Sequence, residues 1–136
     1  MPIRYMIYND YSCIIKVWLG VVTLEEWYAV ERQIMEAPNL PRKFKLLTDV
    51  RKVDDVKITV EENKDMASFY DDYITKVSGA QVAVLAGAVF DRARRFENYA
   101  QSLGMNVIVF TNFDTACMWL NLDRKMVSEW IEQLRG

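Results

Sequence analysis

The stretch IRYMIYNDYSCIIKVWL, residues 3–19, decides the fold class. It holds two runs rich in Ile, Val, Tyr and Trp, Ile3–Asn9 and Cys13–Leu19, which are typical of β-strands. A polar tetrapeptide suited to a turn separates them. Strands joined this closely pair as an antiparallel hairpin, so the chain is predicted to begin its fold with one.

Both faces of this hairpin are apolar. By simple alternation, one face is expected to carry Tyr5, Ile7, Ile15 and Val17 and the other Met6, Tyr8, Ile14 and Trp18. One-directional crossovers place helices on a single side of a sheet, so the second face needs another cover. The last helix, with Trp130, is one candidate, and a second subunit is the other, because an exposed apolar patch often marks an interface. A pocket beneath such a cover would suit an apolar ligand.

Strands and helices alternate after the hairpin. Capping boxes at Thr23–Glu26 and Thr59–Glu62 start two helices, and Pro38 and Pro41 end the first. Further strands are predicted at Phe44–Val50, Gln81–Ala86 and Asn106–Thr111, and further helices at about Val89–Leu103, at Phe113–Leu120 and after Asp123. This order predicts an α/β fold with a mixed, mainly parallel five-stranded sheet.

Two details of the middle region complete the prediction. The charged residues 51–55 are interpreted as a loop after the third strand. The helix that follows Thr59 is expected to turn one face to the core, made of Val60, Asn63, Ala67, Tyr70 and Ile74.

The composition excludes several classes of function. The chain has 136 residues, the size of a single domain, and no His, which removes Ser-His-Asp and Cys-His catalysis and most catalytic zinc sites. Its 17 basic and 19 acidic residues argue against nucleic acid as a partner. Cys13 and Cys117 are expected to be buried thiols in a reducing cytosol. No signal peptide and no apolar span of 18 residues is found, so a cytoplasmic protein is predicted.

Four local patterns together resemble the SpoIIAA-like fold of STAS domains, the sulphate transporter and anti-sigma factor antagonist domains, and above all their small stand-alone bacterial members. They are Gly20–Trp27, Leu46–Arg51, Phe90 with Arg94 and Phe96, and Phe113-Asp114 with Ala116, Trp119 and Leu120. The resemblance covers about residues 1–120, and the helix at about 123–135 is expected to extend that core. It implies a non-enzymatic regulatory or ligand-binding module, and a lipid-binding analogy within the fold suggests an apolar ligand.

Asp49 and Arg51 are the first candidate binding residues. They lie at the carboxyl end of the third predicted strand, where open α/β sheets bind ligands. Arg51 could fork onto a carboxylate or phosphate, with Asp49 orienting it. The alternative is an Asp-Arg pair that stabilises the loop.

The turn after the fourth predicted strand supplies the other candidates, Gly87, Phe90 and Arg94. A small residue there lets a ligand approach the backbone, and free N–H groups favour an anion. The alternative is a solvated, salt-bridged helix face. The carboxylate doublets of the chain are interpreted as solubilising charge, and we expect no metal, no cofactor and no catalytic residue.

The resemblance also implies a phosphorylation switch in the loop before the second helix. Relatives that use it carry an Asp-Ser-Ser-Gly type motif, whereas residues 54–59 here contain neither Ser nor Gly. Thr59 is the remaining candidate, and its alternative role is the helix N-cap. The predicted function is therefore a cytoplasmic, homodimeric module that binds a small apolar or anionic ligand or a protein partner. The alternatives are a phospho-switched partner-binding protein, or an enzyme that uses carboxylate and Arg residues.

Overall fold

The central sheet has five strands, and a separate pair of strands lies beside it. The structure is a computed structural model that describes residues 2–87 and 90–136, with the backbone alone at positions 92, 98, 99 and 102. The strands within these residues are β1 (Ile3–Tyr8), β2 (Cys13–Trp18), β3 (Gly20–Thr23), β4 (Lys45–Asp49), β5 (Val53–Lys57), β6 (Gln81–Leu85) and β7 (Asn106–Phe110).

The helices within these residues are α1 (Leu24–Met35), α2 (Val60–Phe69), α3 (Ile74–Val77), α4 (Phe90–Ala100), α5 (Phe113–Leu120) and α6 (Arg124–Arg135). Three of them, α1, α2 and α6, begin at the capping residues that the sequence predicts. Thr23 and Thr59 cap α1 and α2, and Asp123 caps α6. Gly104, which follows the 3₁₀ turn after α4, has a left-handed φ of 79°, a conformation that favours glycine. Val89, the predicted first residue of that helix, lies outside the described residues.

The order β1-β2-β4-β6-β7 confirms the mixed five-stranded sheet. β1 pairs antiparallel with β2, and the other neighbours are parallel. β2, β4 and β6 are therefore flanked on both sides, and their carboxyl ends meet at one edge of the sheet.

The prediction of a loop at residues 51–55 is wrong in its second half. Val53 begins β5, which pairs in parallel with β3 and places Val56 beside Val22. Both Val side chains are buried, whereas the flanking Asp55 and Lys57 are exposed. The alternation of apolar and polar residues is hard to detect in this strand, because three of its five residues are charged. A strand with one solvated face needs few apolar residues.

The predicted buried face of the second helix is also only partly right. Asn63, Ala67 and Tyr70 are buried, but Val60 is 44% and Ile74 47% exposed. α2 ends at Phe69, and a 3₁₀ turn follows it. A 3₁₀ turn has three residues per turn instead of 3.6, so the spacing that would bring Ile74 onto the buried face is lost.

The pairing register of the hairpin corrects the predicted faces. Tyr5 lies opposite Lys16, and Met6 lies opposite Ile15. Directly opposite residues of an antiparallel pair share a face. Tyr5 and Ile7 therefore lie on the face of Ile14 and not with Ile15 and Val17, because counting along the chain ignores the reversal at the turn.

Helices cover both faces of the sheet. One face, with Ile14, Leu46 and Val82, packs against residues of α1, α2 and α4. The other packs against α5 and α6 through a cluster whose members are Cys13, Ile15, Val17, Leu47, Ala83, Leu85, Ala116, Cys117, Leu120, Val127 and Ile131. The sequence offered the last helix or a second subunit as the cover of this face, and the structure shows that α5 and α6 cover it. Both thiols are buried, as predicted.

Candidate functional site

A cavity of about 90 Å³ lies between the sheet and the helices α1, α2 and α4. Its sheet side includes Trp18, Leu46 and Val82, and its helix side includes Trp27 and Met66. Most of the lining side chains are apolar. An apolar cavity with a few polar groups is the usual form of a small-molecule site.

The periodicity of the chain places these side chains together. Alternate residues of β4 and the residue after it, Leu46, Thr48 and Val50, point to the same face. On α2, Asn63 and Met66 are three residues apart, so they also share a face. The cavity is therefore built from the inner faces of ordinary amphipathic elements.

Two N–H donors at this cavity have no hydrogen-bond partner among the described residues. They are Nε1 of Trp18 and Nδ2 of Asn63, on side chains of residues that are 8% and 6% exposed. Both residues line the cavity. Leaving a buried donor unpaired costs about 1–3 kcal/mol, and most buried polar groups in folded proteins are paired. The two groups therefore indicate a hydrogen-bond acceptor that enters the cavity.

A buried ionic network lies beside these donors. Nζ of Lys16 contacts Oε1 of Glu31, and the hydroxyl of Tyr70 donates to Oε2 of the same carboxylate at 2.7 Å. The Lys16 and Glu31 side chains are 3% and 1% exposed. Burial, together with the adjacent negative charge of Glu31, raises the pKa of Tyr70 well above its usual value, so Tyr70 stays a neutral donor. A buried ion pair rarely stabilises a fold more than apolar packing does. Stability alone therefore does not explain this pair, which lies at the cavity.

Asp49 and Arg51 lie on the opposite face of the sheet from the cavity. The Asp49 carboxylate is buried and accepts from Nε and Nη2 of Arg51 at 3.0 and 2.9 Å, and from Nη2 of Arg135 at 2.7 Å. The backbone N–H of Arg51 adds a bond of 3.0 Å. These contacts match the alternative given above, in which Asp49 and Arg51 pair to stabilise the loop. Arg135, at the end of α6, adds a second cation to this pair.

Gly87, Phe90 and Arg94 do not line the cavity either. Gly87 lies next to the Arg51 backbone, since a Cβ built on it would be 4.0 Å from the Arg51 Cα. The Arg94 guanidinium lies 5.8 Å from the Phe90 ring centroid, and its Nε is 3.9 Å from Glu97. The structure thus brings Asp49, Arg51 and Gly87 together. Phe90 adjoins this group through its backbone N–H, which donates to the Gly87 carbonyl oxygen at 3.2 Å. The turn residues 88 and 89 lie outside the described residues.

Thr59 is exposed and forms the capping box that the sequence predicts. Its Oγ1 accepts from the Glu62 N–H at 3.1 Å, and the Glu62 carboxylate accepts from the Thr59 N–H at 2.8 Å. The hydroxyl that would carry a phosphate is therefore already used at the start of α2.

The sequence analysis missed the polar residues of the cavity, although two of them carry a signal. Lys16 interrupts the apolar run CIIKVW at a position whose neighbours are all buried. Glu31 falls on the buried spacing of α1, with Trp27, Val30 and Ile34. A charge on an apolar face is uncommon unless it is paired, and the two elements supply opposite signs. Asn63 lies on the predicted core face of its helix, which is a weaker signal because an amide carries no charge, and Trp18 carries none because an aromatic side chain suits a core.

A comparison of the backbone with solved structures finds the same architecture elsewhere. An uncharacterised protein of the DUF3478 family from Shewanella loihica, described as having a SpoIIAA-like fold, superposes with a TM-score of 0.52 and 14% identity over 79% of this chain and 82% of its own. This chain has a SpoIIAA-like fold. The resemblance seen in the sequence is thereby confirmed for the fold, which is as far as 14% identity extends.

Searches by sequence add nothing to this fold. No protein-family profile and no curated protein matches the chain. Within residues 2–87 and 90–136, no helix has both the length and the apolar character needed to cross a membrane. The same residues contain no cluster of three or more His, Cys, Asp or Glu side chains that could hold a metal ion.

Proposed function

We propose that this SpoIIAA-like protein is a binding module that takes a small, mainly apolar molecule with a hydrogen-bond acceptor into the cavity between the sheet and α1, α2 and α4. One observation carries the proposal: the unpartnered N–H groups of Trp18 and Asn63 lie at an otherwise apolar cavity. A purely structural core has no use for two buried donors without acceptors.

The cavity sets the size of the ligand. An apolar cavity of about 150 Å³ takes benzene, so about 90 Å³ corresponds to roughly four non-hydrogen atoms. Val84, Ala93 and Phe96 line the cavity and are only partly buried, which places the solvent side of the cavity at α4. A ligand of this size gains affinity mainly from apolar contact, and the two donors orient it.

Xenon is a suitable first probe, because it reports an accessible apolar cavity without requiring the natural ligand. We expect dissolved xenon to shift the backbone amide signals of Trp18, Met66 and Val84 in NMR spectra. Ala93→Leu places a larger side chain in the cavity and should abolish these shifts. The matched control is Ala29→Leu on the exposed side of α1, which should retain them. Shifts that are absent in the wild type, or that persist in Ala93→Leu, would refute the cavity as a binding site.

The phosphorylation switch at Thr59 remains a separate prediction. A phosphate at the start of α2 would meet the positive end of the helix dipole, but it would also displace the Glu62 carboxylate from the capping box. Mass spectrometry of protein purified from its native host tests the prediction directly. An unmodified Thr59 under all growth conditions would exclude the switch.

The homodimer, the protein partner and the cytoplasmic location also remain predictions. The sheet face that suggested a second subunit is covered by α5 and α6, so the dimer needs a different surface. Native mass spectrometry gives the oligomeric state and any bound small molecule in one measurement. A monomer that carries a discrete extra mass would favour the binding module without the dimer.

A further inference from the structure

We infer that the cavity selects an uncharged carbonyl compound and that Glu31 sets this selectivity. The inference rests on the proposed binding function and narrows it to a ligand class. Lys16 is the charged residue among the described residues that line the cavity, and its Nζ contacts Glu31. The polar side of the cavity is therefore electrically neutral before any ligand enters.

The buried groups at the cavity that have no partner among the described residues are donors. Nε1 of Trp18 can only donate, and Nδ2 of Asn63 carries two N–H groups. The Lys16 ammonium has three donors, and one of them is directed at Glu31. A carbonyl oxygen has two lone pairs and can accept from two of these groups at once. A ligand whose head can only donate would leave Trp18 and Asn63 unpaired.

The charges at the site restrict the class of ligand further. A carboxylate ligand would bring a second negative charge into a buried site that holds one cation, already used by Glu31. Glu31 is fixed in place, because Lys16 and the Tyr70 hydroxyl each bind one of its oxygens. The excess charge would remain buried, and an unbalanced buried charge is costly. Glu31 thus disfavours the binding of anions, whereas Trp18 and Asn63 favour ligands with a hydrogen-bond acceptor. Both effects contribute to specificity.

Three probes with the same five-atom skeleton separate these effects. 2-Butanone is a neutral acceptor, propionate is its anionic counterpart, and 2-methylbutane has the same shape without a polar atom. Each has a size that suits the cavity. Titration followed by NMR gives a dissociation constant for each, and the indole N–H signal of Trp18, assigned with a Trp18→Phe variant, reports hydrogen bonding at the proposed donor.

We expect 2-butanone to bind at least about tenfold more tightly than propionate and about fivefold more tightly than 2-methylbutane, as one or two net hydrogen bonds would give. The Trp18 indole proton should move downfield with the ketone alone. In Glu31→Gln, which keeps an acceptor for Lys16 and Tyr70 but removes the charge, propionate should bind within about threefold of the ketone.

Trp18→Phe provides a second variant that does not disturb the ion pair. It should weaken 2-butanone about fivefold and leave 2-methylbutane unchanged, because only the donor is lost. The inference is overturned if wild-type protein binds propionate or 2-methylbutane as tightly as the ketone, and the proposed binding function then stands. If none of the three probes and no xenon binds, both fail. The wild-type ranking decides the question even if Glu31→Gln does not fold.

Discussion

The two faces of the sheet are packed in different ways. On the side of α5 and α6, the sheet contributes six side chains to the core, all 0% exposed: Cys13, Ile15, Val17, Leu47, Ala83 and Leu85. On the side of α1, α2 and α4, Lys16, Thr48 and Trp18 are buried among apolar residues, and a cavity remains between the layers. The face with the larger, more aromatic core is the less completely filled one.

Side-chain size and polarity explain the contrast. Small residues such as Ala83, Ala116 and Cys117 let α5 approach the sheet closely, and the polar groups of this face, Asp49 with Arg51 and Arg135, lie at the edge of the sheet. The other face must accommodate an indole N–H, an amide and an ion pair, whose directional requirements leave space unfilled. A large buried apolar surface therefore does not ensure complete packing, and the incomplete face is where a ligand can act.

Breaking the ion pair should have the largest effect on stability. Glu31→Ala leaves the Lys16 charge buried and unpaired, and removes the acceptor of the Tyr70 hydroxyl. We expect the free energy of unfolding to fall by about 3–5 kcal/mol in urea titrations. A loss below about 1 kcal/mol would mean that water reaches Lys16 and that the pair is not part of a dry site.

The matched control removes the whole network. The variant Lys16→Met/Glu31→Leu/Tyr70→Phe replaces it with apolar groups of similar volume. Its unfolding free energy should lie within about 1–2 kcal/mol of the wild type, or above it, because no charge is left unpaired. This result would show that the network is retained for a role other than stability.

The closely packed face depends on Asp49 at the edge of the sheet. Asp49→Ala removes the acceptor of Arg51 and of Arg135, and we expect a loss of about 2–3 kcal/mol in the same titration. The effect should be smaller than for Glu31→Ala, because the Arg51 side chain is 35% exposed and can return to water. Asp114→Ala breaks the exposed pair with Arg124 and should change stability by less than about 1 kcal/mol.

The same substitution should have different effects on the two faces. Ala83→Leu adds volume where the packing is complete and should destabilise the protein by about 1–3 kcal/mol. Ala93→Leu adds it at the cavity and should change stability by less than about 1 kcal/mol or increase it. Thermal denaturation of the two variants measures this difference, and equal losses would contradict the contrast between the faces.

Alkaline pH acts on a single buried group and leaves the stability near neutral pH unchanged. Burial raises the pKa of Cys13 from 9.0 to about 12. The charge of Lys45 opposes this increase, and the nearby Cys117 adds a smaller one. The thiol stays neutral in the folded state, whereas it ionises near pH 9 in the unfolded chain. Its contribution to stability is complete below pH 9 and is lost at about 1.4 kcal/mol per pH unit as the pH rises toward 12.

Cys13→Ala isolates this contribution. The variant loses some packing at every pH, but its stability should fall less steeply above pH 9 than that of the wild type. Urea titrations between pH 7 and pH 11 give both slopes. Parallel curves would show that Cys13 has the same pKa in the folded and unfolded states.

The sequence sufficed for the architecture where local signals were strong. Capping boxes at Thr23 and Thr59 and the apolar runs of β2, β4 and β6 predicted the element order, because each depends on residues within a few positions. β5 was missed because Asp54, Asp55 and Lys57 dominate its composition. The faces of the hairpin were wrongly assigned because register depends on the turn, which alternation along the chain does not contain.

The site could be predicted far less well. A general rule about strand ends points to Asp49 and Arg51 as candidates, and the structure surrounds Asp49 with Arg51 and with Arg135, which is far away in the chain. The cavity depends on space between three helices and a sheet, a quantity that no local pattern encodes. Lys16 and Glu31 were nonetheless visible as charges on apolar faces, and pairing them requires only the expectation that buried charges meet.

The distance along the chain between Asp49 and Arg135 has a consequence for synthesis. Arg51 can reach Asp49 as soon as β4 has formed, but the second cation is 86 residues further on, at the end of α6. Until α5 and α6 emerge from the ribosome, the nascent sheet exposes Ile15, Leu47 and Leu85 to its surroundings. The newly made protein therefore passes through a late stage in which one apolar face of the sheet is exposed. Protection by chaperones matters most at this stage.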